Sequence, residues 1–155
     1  MKKLLFLLLF SVFVVGAAAI ITIKSNPPLA INSYKSFHDN ANVRLIEIEN
    51  KGIRELQLQN IVVNDEMSEN AELMISMAQK FESFVPSDPN ITYHGIKQLK
   101  LFPSRYIDRK AVSKLPQYYG LKINGEDIQK ITIHYTYLKI PFTLTAELKT
   151  VEKNT

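Results

Sequence analysis

The chain has 155 residues, a formal net charge of +4 and no cysteine. That length holds one compact domain plus an appendage, not two full domains. The absence of cysteine excludes thiol catalysis, disulfide exchange and thiolate metal sites. Setting Lys2 and Lys3 aside leaves 17 basic against 15 acidic residues, a net of +2. This is too mild for a nucleic-acid binder, which concentrates a strongly basic face.

The appendage comes first. Leu4 to Ile23, LLFLLLFSVFVVGAAAIITI, is twenty residues without a charge. At ~1.5 Å per residue a helix of that length reaches about 30 Å, the hydrocarbon thickness of a bilayer. Lys2 and Lys3 ahead of it favour a cytoplasmic N-terminus and an exported remainder. Two readings stand. Residues 1–25 are an uncleaved transmembrane signal anchor, or they are a signal peptide with Ala17-Ala18-Ala19 as its small-residue cleavage site. The apolar run continues through Ile20, Ile21 and Ile23, so a cleaved chain would begin on a membrane-seeking end, which favours the anchor. The expected address is the cell membrane, single-pass with an extracytoplasmic C-terminal domain, or secretion as the alternative. A cysteine-free exported domain suits a bacterial cell surface better than a small animal ectodomain, where disulfides supplement small cores.

Lys24 to Pro28 is a polar, proline-stiffened exit, and the domain is expected over residues 29–150. Period-two alternation dominates it. Val43 to Glu49 reads as a strand in which Ile46 and Ile48 share a face while Val43 and Leu45 have the opposite parity, the mark of a bulge or a change of face. Asn50-Lys51-Gly52 reads as a turn, and Leu56 to Val63, again with a parity change, as the other arm of a bent hairpin. Ala71 to Phe81 fits a helix or a strand; its alternation of Leu73, Ile75 and Met77 favours the strand. Ser83 to Asn90 reads as a loop. Further strands are expected at Ile96 to Phe102, Tyr119 to Asn124, Ile128 to Leu138 and Phe142 to Leu148. Between them, residues 103–116 read as irregular, with Asp108 capping a short helix through Lys114. Many short strands between turns predict an all-β antiparallel sandwich preceded by one transmembrane helix.

The element that ends in Asn50-Lys51-Gly52 and continues ELQLQNIVVN to Asn64 resembles the early strands of bacterial immunoglobulin-like accessory domains. There a strand closes on Asn-x-Gly and the next runs x-L-x-L-x-x-V-x-V-N. The tail YYGLKINGEDIQKITIHYTYLKIPFTLTAEL is similar to small uncharacterised membrane-anchored proteins of bacilli. The resemblance covers about Val43 to Leu148 and implies an immunoglobulin-like β-sandwich at a cell surface. Its motifs are structural, so it implies no catalytic residue.

Residues able to do chemistry are few. His38, His94 and His134 lack metal-ligand spacing, and a shared metal site would need three strands to gather them. Asp65-Glu66 and Glu126-Asp127 are sequence neighbours beside Asn or Gly, the pattern of solvated turns rather than of carboxylates facing one pocket. The asparagine of Asn90-Ile91-Thr92 matches a glycosylation sequon and reads as an ordinary loop-to-strand segment. No nucleophile motif or phosphate-cradling glycine loop is present. The tyrosine and phenylalanine stripe Tyr135, Tyr137, Phe142 alternates with Ile131 and Ile133 and reads as core rather than as a ligand platform. The expectation is a non-enzymatic binding module with no cofactor and no metal. Alternatives are a structural subunit of a membrane complex, an envelope hydrolase or a metal-binding protein.

Charge is distributed unevenly. From His38 to Glu72 there are eight acids and three bases, whereas Lys97, Lys100, Arg105, Arg109, Lys110 and Lys114 face the single acid Asp108. These six cations, with Tyr106 among them, are the candidate binding residues. Their expected contacts are lipid headgroups, an anionic envelope polymer or an acidic partner protein.

Overall fold

A computed structural model describes residues 2–37, 40–77, 81, 89–107, 118–125 and 127–148. Helix α1 spans Lys2–Ser25. Its window Phe6–Ser25, 20 residues, is long and apolar enough to cross a membrane, a property shared by anchors and signal sequences, and none of the window is buried in the protein. Apolar residues surround the helix instead of forming one stripe, so a single packed face cannot satisfy it. Its hydroxyls turn inward on its own backbone. Ser11 Oγ donates to Leu8 O at 2.8 Å, Thr22 Oγ1 to Ala18 O at 2.9 Å and Ser25 Oγ to Ile21 O at 2.9 Å. They therefore need no partner from outside the helix. Asn26 closes the last turn on Thr22 O, and Pro27-Pro28 prevent continuation.

Two antiparallel sheets follow. The first contains β1 (Leu29–Phe37), β2 (Asn40–Asn50), β5 (Glu72–Ser76), β6 (Ile91–Gly95) and β8 (Tyr118–Asn124), in the order β1-β2-β8-β5-β6. The second contains β3 (Leu56–Val63), β4 (Glu66–Met67), β9 (Lys130–Tyr137) and β10 (Ile140–Glu147), in the order β10-β9-β3-β4, with β7 (Lys100–Leu101) also on β3. The fold is a β-sandwich. Ile46, Ile48 and Leu121 from one sheet meet Leu58, Ile133 and Tyr135 from the other in one buried core. Strand β9 alternates buried and half-buried residues along its whole length, the expected signature of one face on the core and one toward water. Tyr135 and Phe142 stack with ring centroids 5.4 Å apart, and Tyr137 meets Phe142 edge-on. The aromatic stripe is core.

The structure corrects several expectations. Strands β2 and β3 do not form a hairpin. They lie in different sheets, and residues 51–55 carry the chain across the sandwich. The parity change in β3 is a bulge, since Leu58 pairs with Tyr135 and Asn60 with His134, leaving Gln59 extra. That in β2 is not a bulge: its pairing with β8 is continuous from Val43 to Ile48. Both its faces are covered, Ile46 by the main core and Leu45 by a second cluster with Met74, Phe81 and Ile91. The same cover explains why β5 is apolar on both sides, which made its period ambiguous. The Phe81 ring lies so close to Gly120 that an added Cβ would meet it at 3.1 Å. In place of a strand over Ile96 to Phe102 there is a turn, because Gln98 clasps Gly95 through both its amide and its side chain. Pairing resumes only at Lys100–Leu101, and the preceding strand is Ile91–Gly95. The helix expected from Asp108 to Lys114 and most of the loop from Ser83 lie outside the described residues.

Candidate functional site

The end of the sandwich nearest α1 is built by three segments distant in sequence. Leu29 pairs with Asn50, and Lys51 N donates to Pro28 O at 2.7 Å, so the 51–55 crossover sits against the exit from the helix. Asn50 organises that crossover. It is 1% exposed; its Nδ2 donates to Arg54 O and to Leu101 O, each at 2.8 Å, and its Oδ1 accepts from Gly52 N at 2.9 Å. Two carbonyls and one N–H dictate which way this amide faces. Tyr137 Oη accepts from Ile53 N at 2.9 Å. Gly52 is required by closeness rather than by backbone angle: no glycine here has positive φ, but a Cβ would lie 2.9 Å from the Tyr137 ring.

Beside the crossover, β9 and β10 join through Leu138 and Lys139, both at positive φ, 52° and 65°. Two-residue hairpin loops of this kind favour Asn-Gly, and a bulky side chain there is strained. The third segment is Phe102 to Ile107, whose short 3-10 turn Ser104–Tyr106 is fixed to the core by Phe102 N donating to Tyr119 Oη at 3.0 Å. Burial, the dominant cause, pushes the Tyr119 phenol up to about 12; the Phe102 amide opposes this and the nearby Glu55 carboxylate adds to it. Tyr119 is thus a neutral structural acceptor at ordinary pH.

These segments enclose an open cleft of about 640 Å³ lined in part by Ile53, Arg54, Lys100, Pro103, Tyr106 and Lys139. Lys100 pairs with Glu55 at 3.3 Å. Lys51, Arg54, Arg105 and Lys139 are exposed and make no ion pair among the described residues. Between the cations stand exposed apolar groups, Ile53 at 50%, Leu138 at 45% and Tyr106 at 62%.

Of the predicted basic residues, Lys97, Lys100 and Arg105 are exposed, and Lys100 and Arg105 belong to this end. Arg109, Lys110 and Lys114 lie outside the described residues. Lys51, Arg54 and Lys139 were not foreseen, because the first two sit in the acid-rich stretch and Lys139 is far along the chain. The exposed pair in the Leu138-Lys139 hairpin turn was the available signal. The described acids of the acid-rich stretch do not form one opposing patch. Glu55 joins the basic end, Glu72 pairs with Lys122 at 2.9 Å, and Asp65 pairs with Lys130 at 2.7 Å at the far end. At that far end Asp65, Glu66, Asp127 and Glu147 are exposed. Asn64 ties the turn together there by donating to Asp127 O and accepting from Gln129 N and Lys130 N.

His94 and His134 stand on strands of different sheets and do not form a shared site. His134 bonds Thr143 on the outer face of the second sheet and His94 bonds Thr92; His38 lies outside the described residues. Among the described residues no three His, Asp or Glu side chains gather as a metal site would require. Comparison with family models, curated proteins and solved structures finds no match.

Proposed function

We propose that the protein is a membrane-anchored, extracytoplasmic binding or accessory module of a bacterial cell surface, acting by contact rather than by catalysis. The observation that carries this reading is an apolar helix, with its hydroxyls bonded internally, joined by a three-residue link to the basic end of a β-sandwich. Lys2 and Lys3 supply the charge bias for a cytoplasmic start and an exported domain. The strand order supports an immunoglobulin-like assignment. Taking β1, β2, β8 and β5 as A, B, E and D, and β10, β9 and β3 as G, F and C, gives the ABED and CFG sheets of that architecture, with β6 and β4 as added edges beside D and C and the short β7 also on C. This agrees with the resemblance carried by Asn50-Lys51-Gly52 and the strand after it. The basic end is the surface through which the module contacts anionic components of the envelope.

The test is the mass of the native protein recovered from membrane and medium. An intact chain that stays with membranes through alkaline extraction is the expected result. A soluble form beginning near Ile20 refutes the anchor.

A further inference from the structure

We infer that the helix-side end of the sandwich docks on the anionic lipid headgroups of the bilayer that α1 spans, with the acidic end turned outward. This rests on the anchored reading above and goes beyond it by naming the partner.

Reach comes first. Four residue steps separate Ser25, the last residue of α1, from Leu29, the first of β1. At ~3.3–3.6 Å per residue the link spans at most about 14 Å, and the polar headgroup layer is itself roughly 5–8 Å deep on each side. The end that contains Leu29 therefore cannot leave the membrane surface. Because Leu29 pairs with Asn50 and Lys51 bonds Pro28, the crossover at residues 51–55 is held at that level. Leu56 pairs with both Tyr137 and Leu101, which brings the 138–139 turn and the 102–106 segment to the same end.

The chemistry of this end then selects the occupant. Among the described residues, Lys51, Arg54, Lys100, Arg105 and Lys139 stand there, with Glu55 paired to Lys100 and Glu49 bonded to Asn32 as the acids beside them. Gathering like charges at one end is unfavourable in isolation and is relieved by an anionic surface. An acidic protein would offer charge and apolar contact too, but the short link from α1 sets this end at the headgroup layer before any protein arrives. A headgroup layer accommodates both, with Ile53 and Leu138 entering the interface and Tyr106 at its polar boundary, where such amphipathic rings concentrate. The Leu138-Lys139 turn adds an independent sign. Backbone strain is accepted at both positions to present one apolar and one cationic side chain at the tip. At the opposite end Asp65, Glu66, Asp127 and Glu147 would be repelled by the same surface, so the charge distribution sets orientation as well as contact.

The full chain contains no tryptophan, so Tyr106→Trp at the basic end and Met67→Trp on β4 at the acidic end are unique reporters. Each is inserted into nanodiscs of phosphatidylcholine alone or of phosphatidylcholine with phosphatidylglycerol, doped with a headgroup-level nitroxide lipid. Docking predicts blue-shifted, quenched Tyr106→Trp emission in the anionic discs, reversed by high salt, with Met67→Trp unquenched throughout. Adding Arg54→Gln, Lys100→Gln and Lys139→Gln should lower the docked-to-free ratio about 100-fold, at about fivefold per cation. The salt titration of Tyr106→Trp alone decides the matter if the triple variant unfolds. A chain that inserts but gives the same Tyr106→Trp emission in both discs, insensitive to salt, overturns the docking and leaves the anchor standing. A chain that fails to insert in either disc refutes the anchor, and the docking with it.

Discussion

Replacing Asn50 tests how the basic end is held in place. In Asn50→Ala three hydrogen bonds vanish, at about 0.5–1.5 kcal/mol net each. One of them ends on the carbonyl of Leu101, a residue of the sealed core, and losing a hydrogen bond to a buried polar group costs up to about 1–3 kcal/mol. The expected loss is about 4 kcal/mol. A domain of this size changes its melting temperature by roughly 4 °C per kcal/mol, so the drop should be about 15 °C. Asn50→Asp is the sharper variant, being nearly the same shape. It keeps the acceptor toward Gly52 but turns an oxygen toward two carbonyls that now lie 2.8 Å from the amide nitrogen. At neutral pH it should be no more stable than Asn50→Ala. Its stability should recover partly as pH falls, because that carboxyl takes up a proton more readily in the folded state and the protonated form can donate once. Thermal unfolding of the full chain in detergent, followed by far-ultraviolet circular dichroism, measures both. If Asn50→Asp melts with the parent protein at pH 7, the crossover is held by Tyr137 and Pro28 alone and the reasoning fails.

Two further outcomes are expected. Leu138→Asn with Lys139→Gly should relieve the positive-φ strain and raise stability by about 1–2 kcal/mol while weakening contact with anionic discs; a double variant that gains no stability refutes the strain argument. Raising pH should destabilise the domain through Tyr119. Its folded-state value near 12 lies above the ordinary 10, so the unfolded chain loses its proton first, and stability complete below pH 10 falls as pH rises toward 12. The loss is on the order of 2–3 kcal/mol. Tyr119→Phe should start less stable, having lost the acceptor for Phe102 N, but should show a flatter decline over that window in chemical-denaturation curves.

The alternation in β9 was legible because each side chain answers to one sheet face, so Ile131, Ile133, Tyr135 and Tyr137 announced the core unaided. The parity change in β3 was legible for the same reason, since a bulge shifts the period by one. Where both faces are covered the signal is lost. Leu45 and Met74 lie under Phe81 on the outer face of their sheet, and nothing within their own strands distinguishes that cover from the main core. The Asn50-Lys51-Gly52 segment was correctly placed between two strands but wrongly joined them, because a turn signal marks where the chain bends and not which sheet receives it.

The sequence by itself determined a long apolar helix, a β-sandwich behind it and an excess of positive charge after Lys97, all of which depend on local composition and period. Only the tertiary structure decided that Lys51 and Arg54, drawn from an acid-rich stretch, stand with Lys100, Arg105 and Lys139 beside the exit from that helix. Those neighbours are set by strand pairing across the two sheets, from Leu29 to Asn50 and from Leu56 to Tyr137 and Leu101. Pairing at such separations leaves no periodic trace along the chain.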